Sequence, residues 1–119
     1  MAANQIIGGN FVDNEGNPLA NGYLLFKLNM DELVEADPSI AVCSGRVIKI
    51  PLDSSGNVAA SPVYNLWPNA DLVDGSPTNF YLVTAYTQFG QLVWGPLPQS
   101  ILSSPSPFNI GAWVPGKIV

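Results

Sequence analysis

The sequence predicts an all-β domain: a single sandwich of about seven strands with an irregular C-terminal arm. Three observations carry this. Eleven glycines, eleven prolines and eleven asparagines punctuate the chain at short intervals. The apolar stretches between them are short, and many alternate with period two, the pattern of a sandwich or barrel rather than of helices. At 119 residues, with 47% hydrophobic and 10% aromatic side chains, the chain is long enough for one hydrophobic core and too apolar for wholesale disorder. Residues 1–95 form the expected sandwich body. Residues 96–119, a proline- and serine-rich segment followed by a last strand or arm, belong to the same domain.

The first strand is expected over Ile6 to Val12, loosened by Gly8 and Gly9. Asp13-Asn-Glu-Gly-Asn-Pro follows as a turn, because Gly and Asn accept positive φ and Pro18 fixes its own. Tyr23 to Leu28 is the clearest strand, with Leu24, Phe26 and Leu28 on one face and Tyr23, Leu25 and Lys27 on the other. Asn29 to Ser39 is the one stretch with a helical reading. Met30, Leu33 and Val34 have helical spacing, Asn29 is placed to cap, and Pro38 ends it; the alternative is a long loop. Gly45 to Leu52 is the next strand, with Ile48, Ile50 and Leu52 inward and Val47 and Lys49 outward. Asp53-Ser-Ser-Gly-Asn is a second turn. Val63 to Trp67 and Phe80 to Thr87 are strands. Gln88-Phe-Gly-Gln signals a hairpin whose return runs from Leu92 to Gly95. Pro96 to Pro107 reads as irregular, and Phe108 to Val114 as a last strand or a docking arm. No internal repeat stands out.

Composition excludes several functions. Four Lys and Arg oppose nine Asp and Glu, a net charge of −5. Four cations cannot build a phosphate-binding patch, so nucleic acid is not an expected partner. There is no histidine, hence no His-ligated zinc, no Ser-His-Asp or Cys-His catalytic arrangement, and no general base of the usual kind near pH 7. No phosphate-cradling glycine motif occurs. A carboxylate pair is the one catalytic inventory left, and an enzyme is not expected. Cys43 is the only cysteine, which excludes a disulfide scaffold. No apolar run reaches the roughly 20 residues of a membrane-crossing helix, and Met1-Ala-Ala-Asn-Gln lacks the features of a signal peptide. No membrane partner, cofactor or metal is expected.

Asp13, Glu15 and Asn17 place oxygens at alternate positions, as calcium loops do. The glycine comes too early and no bidentate Glu follows, so this stretch and Asp53-Ser-Ser-Gly-Asn read as ordinary turns. Cys43 reads as a buried, inert thiol. Asp31, Glu32, Glu35 and Asp37 read as a solvated acidic stretch. Gly75 to Gly116 carries no charged residue, over a third of the chain. Interface cores are depleted in charge and rich in aromatic rings, so Phe89, Trp94, Phe108, Ile110 and Trp113 are the expected interface residues. The plainer alternative is an uncharged polar surface. Trp67 and Trp94 are the candidates for stacking on a sugar, with core packing as the competing use.

Two stretches carry a resemblance. Gly9-Asn-Phe-Val-Asp-Asn-Glu-Gly-Asn-Pro-Leu-Ala-Asn-Gly-Tyr-Leu-Leu-Phe-Lys-Leu resembles the opening of carboxypeptidase-regulatory-like, transthyretin-type β-sandwich modules. Leu66-Trp-Pro-Asn-Ala-Asp-Leu, Thr78-Asn-Phe-Tyr-Leu-Val-Thr-Ala-Tyr and Gly90-Gln-Leu-Val-Trp-Gly-Pro are similar to β-sandwich modules of bacteriophage and prophage virions, particularly tail fibres and other tail-associated chains. Ala70 stands where those modules usually have Asp. Ile50-Pro-Leu-Asp-Ser-Ser-Gly-Asn57 fits the same pattern. The resemblance covers about two thirds of the chain and implies an Ig-like or transthyretin-like sandwich. It implies a non-enzymatic structural role in the virion, as a tail-fibre or adaptor module or a head or tail decoration protein, assembled in the host cytoplasm. Its partners would be itself, as a homo-oligomer with a trimer among the options, and other virion proteins. The alternative is a carbohydrate- or receptor-binding module. The matched positions are turn and core residues, and no catalytic or ligand residue carries over.

Overall fold

The computed structural model describes residues 3–9, 11–13, 15–59, 63–75, 78–101 and 107–110. Nine strands lie among them: β1 (Asn4–Ile7), β2 (Tyr23–Leu28), β3 (Glu32–Val34), β4 (Asp37–Val42), β5 (Ile48–Pro51), β6 (Asn65–Leu66), β7 (Tyr81–Tyr86), β8 (Leu92–Gln99) and β9 (Phe108–Asn109). One 3₁₀ turn spans Asn69–Asp71, and no α-helix occurs among the described residues. The chain is all-β and sandwich-like.

The strands form a four-stranded sheet ordered β5-β2-β7-β8, a three-stranded sheet ordered β6-β1-β9 and the two-stranded β3-β4. The four-stranded sheet is antiparallel throughout. In the smaller sheet β6 runs antiparallel to β1, and β9 runs parallel to it. Side chains alternate faces along a strand, so Leu24, Phe26 and Leu28 of β2 point inward with Ile50 of β5 and Tyr81, Val83 and Ala85 of β7. Ile6, Leu66, Phe108 and Ile110 of the smaller sheet and its margins join the same buried cluster, with Phe11 and Leu19 from the connecting chain.

Every strand expected from the sequence has a counterpart among the described residues; residues 111–114 of the expected last strand lie outside them. The two extra strands replace the helical reading of Asn29 to Ser39. That stretch is neither helix nor loop but the β3-β4 hairpin, turning at Glu35-Ala36. Met30, Leu33 and Val34 do not form one stripe: Val34 is buried while Leu33 is exposed, the period-two pattern of a strand. The deciding partners are distant in sequence. The Val73 N–H donates to the Leu33 carbonyl (3.0 Å), and the Glu35 N–H to the Asp71 carbonyl (3.0 Å). A helix would close its hydrogen bonds locally and leave both unmade.

The second correction concerns the first four residues of Pro96 to Pro107, a segment of which 102–106 lie outside the described residues. Strand β8 does not end at Gly95 but continues through Pro96 and Pro98 to Gln99, with Pro98 opposite Leu82 and Gln99 opposite Tyr81. Prolines are tolerated there because β8 is an edge strand of its sheet. The register shifts beside Gly95, whose φ is +101°. A Cβ at that position would lie 2.5 Å from the Val83 carbonyl oxygen, so only glycine lets the two backbones approach this closely.

Candidate functional site

The connections Asp13–Asn17, Asp53–Asn57 and Thr87–Gln91 gather at the end of the large sheet where β2 begins, β5 and β7 end, and β8 starts. They use one design. The first residue's backbone N–H donates to the carbonyl of the fifth (2.8, 2.8 and 2.9 Å), and the glycine N–H donates back to the first residue's carbonyl (3.1, 3.1 and 3.0 Å). The first side chain then accepts two more backbone N–H groups. Asp13 Oδ1 takes those of Glu15 and Asn17, Asp53 Oδ1 those of Ser55 and Asn57, and Thr87 Oγ1 those of Phe89 and Gln91. Gly16, Gly56 and Gly90 all have φ near +80°. The shared pattern, Asp or Thr, two residues, Gly, then Asn or Gln, is a short local repeat that a scan for longer repeats passes over. The oxygen that a calcium loop would turn toward a cation is here turned onto the backbone. No group of three or more metal-ligating side chains occurs among the described residues.

The outward face of the large sheet is mostly uncharged. Tyr23 and Leu25 from β2 lie beside Leu82, Thr84 and Tyr86 from β7, flanked by Pro51 and by Leu92 and Pro98. The Tyr23 and Tyr86 rings stack at 5.1 Å. Lys49 Nζ sits 4.2 Å from the Tyr23 ring centroid, and Lys27 is the other cation on this face. Within the uncharged stretch, β7 carries no charge because one of its sides is core and the other is this face.

At the opposite end of the sheet, a chain of hydrogen bonds runs through the interior. Glu32, only 6% exposed, accepts the Asn79 side-chain amide (2.5 Å) and the Asp74 N–H (3.0 Å) on Oε2. Asn69 Nδ2 donates to Asn79 Oδ1 (2.8 Å), and Asn69 Oδ1 accepts the Ile101 N–H (2.7 Å). Hydrogen bonding to the Glu32 carboxylate, and the charge of that group, push the exposed Asp74 carboxyl above its ordinary range. Glu32 Oε2 already holds two N–H donors, which is the geometry of a structural anchor.

A cleft of about 150 Å³ opens between the inner face of the large sheet and β6. Its lining includes Phe26, Ile48, Leu66, Trp67 and Tyr81, with Cys43 and Arg46 exposed at the edge. The Tyr81 hydroxyl donates to the Trp67 carbonyl (2.9 Å), and the Phe26 and Tyr81 rings meet edge to face at 6.3 Å. Burial pushes the Tyr81 hydroxyl well above its usual range. The 43–46 turn is closed by the Arg46 N–H on the Cys43 carbonyl (3.1 Å), and Asp31 Oδ1 anchors it by accepting the Ser44 N–H (2.7 Å). That bond, helped by the Ser44 hydroxyl, holds the Asp31 carboxyl below its ordinary range.

The residues singled out from the sequence scatter. Trp94, Phe108 and Ile110, expected at an interface, belong to the chain's own buried cluster. Trp94 packs on Phe11 at 6.4 Å between ring centroids and so offers no open face to a sugar. The reason is the pleat: Trp94 lies opposite Ala85, an inward position. Phe89 is 81% exposed at the tip of its turn, and Trp113 lies outside the described residues. Trp67 is half-buried in the cleft wall. Cys43, expected to be buried, is exposed, because it follows β4 at the start of the 43–46 turn. The outward-facing side chains of β2 and β7 were missed as a surface, although their two-sided apolar character was the signal for it. Comparison of the chain with family models, with curated proteins and with solved structures finds no match in any of the three.

Proposed function

We propose that this chain is a non-enzymatic structural protein of a bacteriophage particle: an Ig-like or transthyretin-like sandwich serving as a tail-fibre or adaptor module, or as a head or tail decoration protein. It works by packing against copies of itself and other virion proteins. The observation that carries the packing role is the outer face of the large sheet, apolar and polar-uncharged except for Lys27 and Lys49, with its stacked Tyr23 and Tyr86. The virion assignment rests on the resemblance carried by residues 66–72, 78–86 and 90–96, which residues 50–57 also fit; residues 9–28 carry the transthyretin-type resemblance. Charge suggests how copies meet. Lys27 and Lys49 lie on the sheet face, whereas Glu35 and Asp37 are exposed on the β3-β4 hairpin. Face against face would oppose like charges; face against hairpin pairs unlike ones. Such a contact is heterologous and builds rings or open stacks.

The test is solution mass by light scattering across a concentration series. An oligomer is expected, dissociated by Leu25→Glu or Leu82→Glu with the circular dichroism spectrum unchanged. A monomer at every concentration would remove self-assembly, and an oligomer indifferent to both substitutions would remove this face. A second reading, a carbohydrate-binding module, is favoured by one observation: exposed Phe89 borders a groove shared with Asp13, Gln88 and Gln91. Glycan binding lost on Phe89→Ala, with the mass unchanged, would select it.

A further inference from the structure

The cleft beside β6 has the make-up of a ligand site. Its walls are apolar and aromatic, and one charged group, Arg46, lies at its edge. Arg46 is the only arginine in the chain. The chain has nine carboxylates, yet Arg46 forms no ion pair or hydrogen bond through its side chain among the described residues. Its position is set by two anchors that leave the guanidinium free: the backbone bond to Cys43 and the Asp31 grip on Ser44. A cavity of about 150 Å³ with walls of this kind accepts one benzene-sized ring. A guanidinium at its edge adds a preference for a planar, bidentate anion, which a carboxylate supplies.

We propose that this cleft binds small carboxylic acids bearing a single apolar ring, the ring lying against Val42, Ile48 and Trp67 over the buried Phe26 and Tyr81, and the carboxylate held by Arg46. The inference does not depend on the virion reading. The same chemistry has two sources, a free aromatic acid or the C-terminal residue of another chain. The charge of the protein works against any anion at long range, so recognition rests on the local contact, and neutral analogues must bind worse.

The full chain is titrated with phenylacetate and followed by amide chemical shifts. The expected result is saturable binding with a Kd of about 1 mM or tighter, in keeping with so small a ligand. Shifts should centre on residues 41–48 and 65–67 and on Phe26 and Tyr81, and Cys43 alkylation should slow. Phenylacetamide should bind about tenfold more weakly. Arg46→Gln should weaken phenylacetate by a similar factor without changing the thermal midpoint, since Arg46 is exposed. Ala41→Phe, which fills the cleft from its exposed rim, should abolish binding. N-acetylphenylalanine binding at least as tightly as phenylacetate identifies a chain terminus as the source; binding of phenylacetate alone identifies a free acid. No saturable shift, equal binding of acid and amide, or equal binding by wild type and Arg46→Gln would each overturn the proposal, whatever the solution mass.

Discussion

Replacing Asn69 by alanine tests whether the buried hydrogen-bond chain holds the far end of the sandwich together. Asn69 is 1% exposed and its amide serves two distant partners, the Ile101 N–H at 2.7 Å and Asn79 Oδ1 at 2.8 Å. Alanine leaves both without that partner in a dry setting. An unsatisfied buried group costs about 1–3 kcal/mol, so the pair sets a loss of about 2–6 kcal/mol. That is a large share of the roughly 5–15 kcal/mol that keeps a domain folded. The backbone bonds from Asn69 N–H to Ile101 and from Leu72 N–H to Asn69 remain, so the topology should persist at lower stability. The assay is urea unfolding at pH 7, with an earlier midpoint and an unchanged slope. Adding Asn79→Ala should cost less than in the wild type, because the two residues share one bond. A loss below about 0.5 kcal/mol, the level of an ordinary surface change, would refute the reasoning.

Three further outcomes follow from the same geometry. Asp74 is held above its ordinary pKa, so the folded state binds its proton more tightly than the unfolded chain does. Ionising Asp74 therefore lowers stability as the pH rises past 3.8. Asp74→Asn should raise the thermal midpoint at pH 7 and lose that advantage as the pH falls below 3.8; a difference independent of pH would contradict the assignment. Gly16 and Gly56 have nearly equal positive φ, but a Cβ at Gly16 meets open space and one at Gly56 lies 2.6 Å from the Phe11 carbonyl. Gly16→Ala should cost about 1 kcal/mol in chemical denaturation, and Gly56→Ala clearly more; equal losses would show that the Phe11 contact relaxes. Thr87→Val keeps the shape of its turn and removes the oxygen that accepts two N–H groups, so about 1 kcal/mol should be lost. Thr87→Asp, which restores the arrangement of the other two turns, should not lose it. Equal losses for the two variants would refute a role for that oxygen.

Features that depend on near neighbours were legible in the residues alone. The alternation of Leu24, Phe26 and Leu28 marks β2 and its inward face, because the pleat has period two whatever lies opposite. The Asp13 and Asp53 turns are closed by their own side chains, so their residues are enough to identify them. Tertiary structure decided what depends on distant partners. Met30, Leu33 and Val34 suit a helix locally, and the 71–73 segment holds Leu33 and Val34 in a strand by pairing with the 33–35 backbone. Pro96 and Pro98 look like loop residues, and an edge position lets β8 run through both. Trp94 and Phe108 look like surface aromatics in an uncharged stretch, and the core claims them. The outer sheet face and the cleft at Arg46 were the least legible. Each is assembled from strands far apart in the chain, and no local pattern records which side chains meet there.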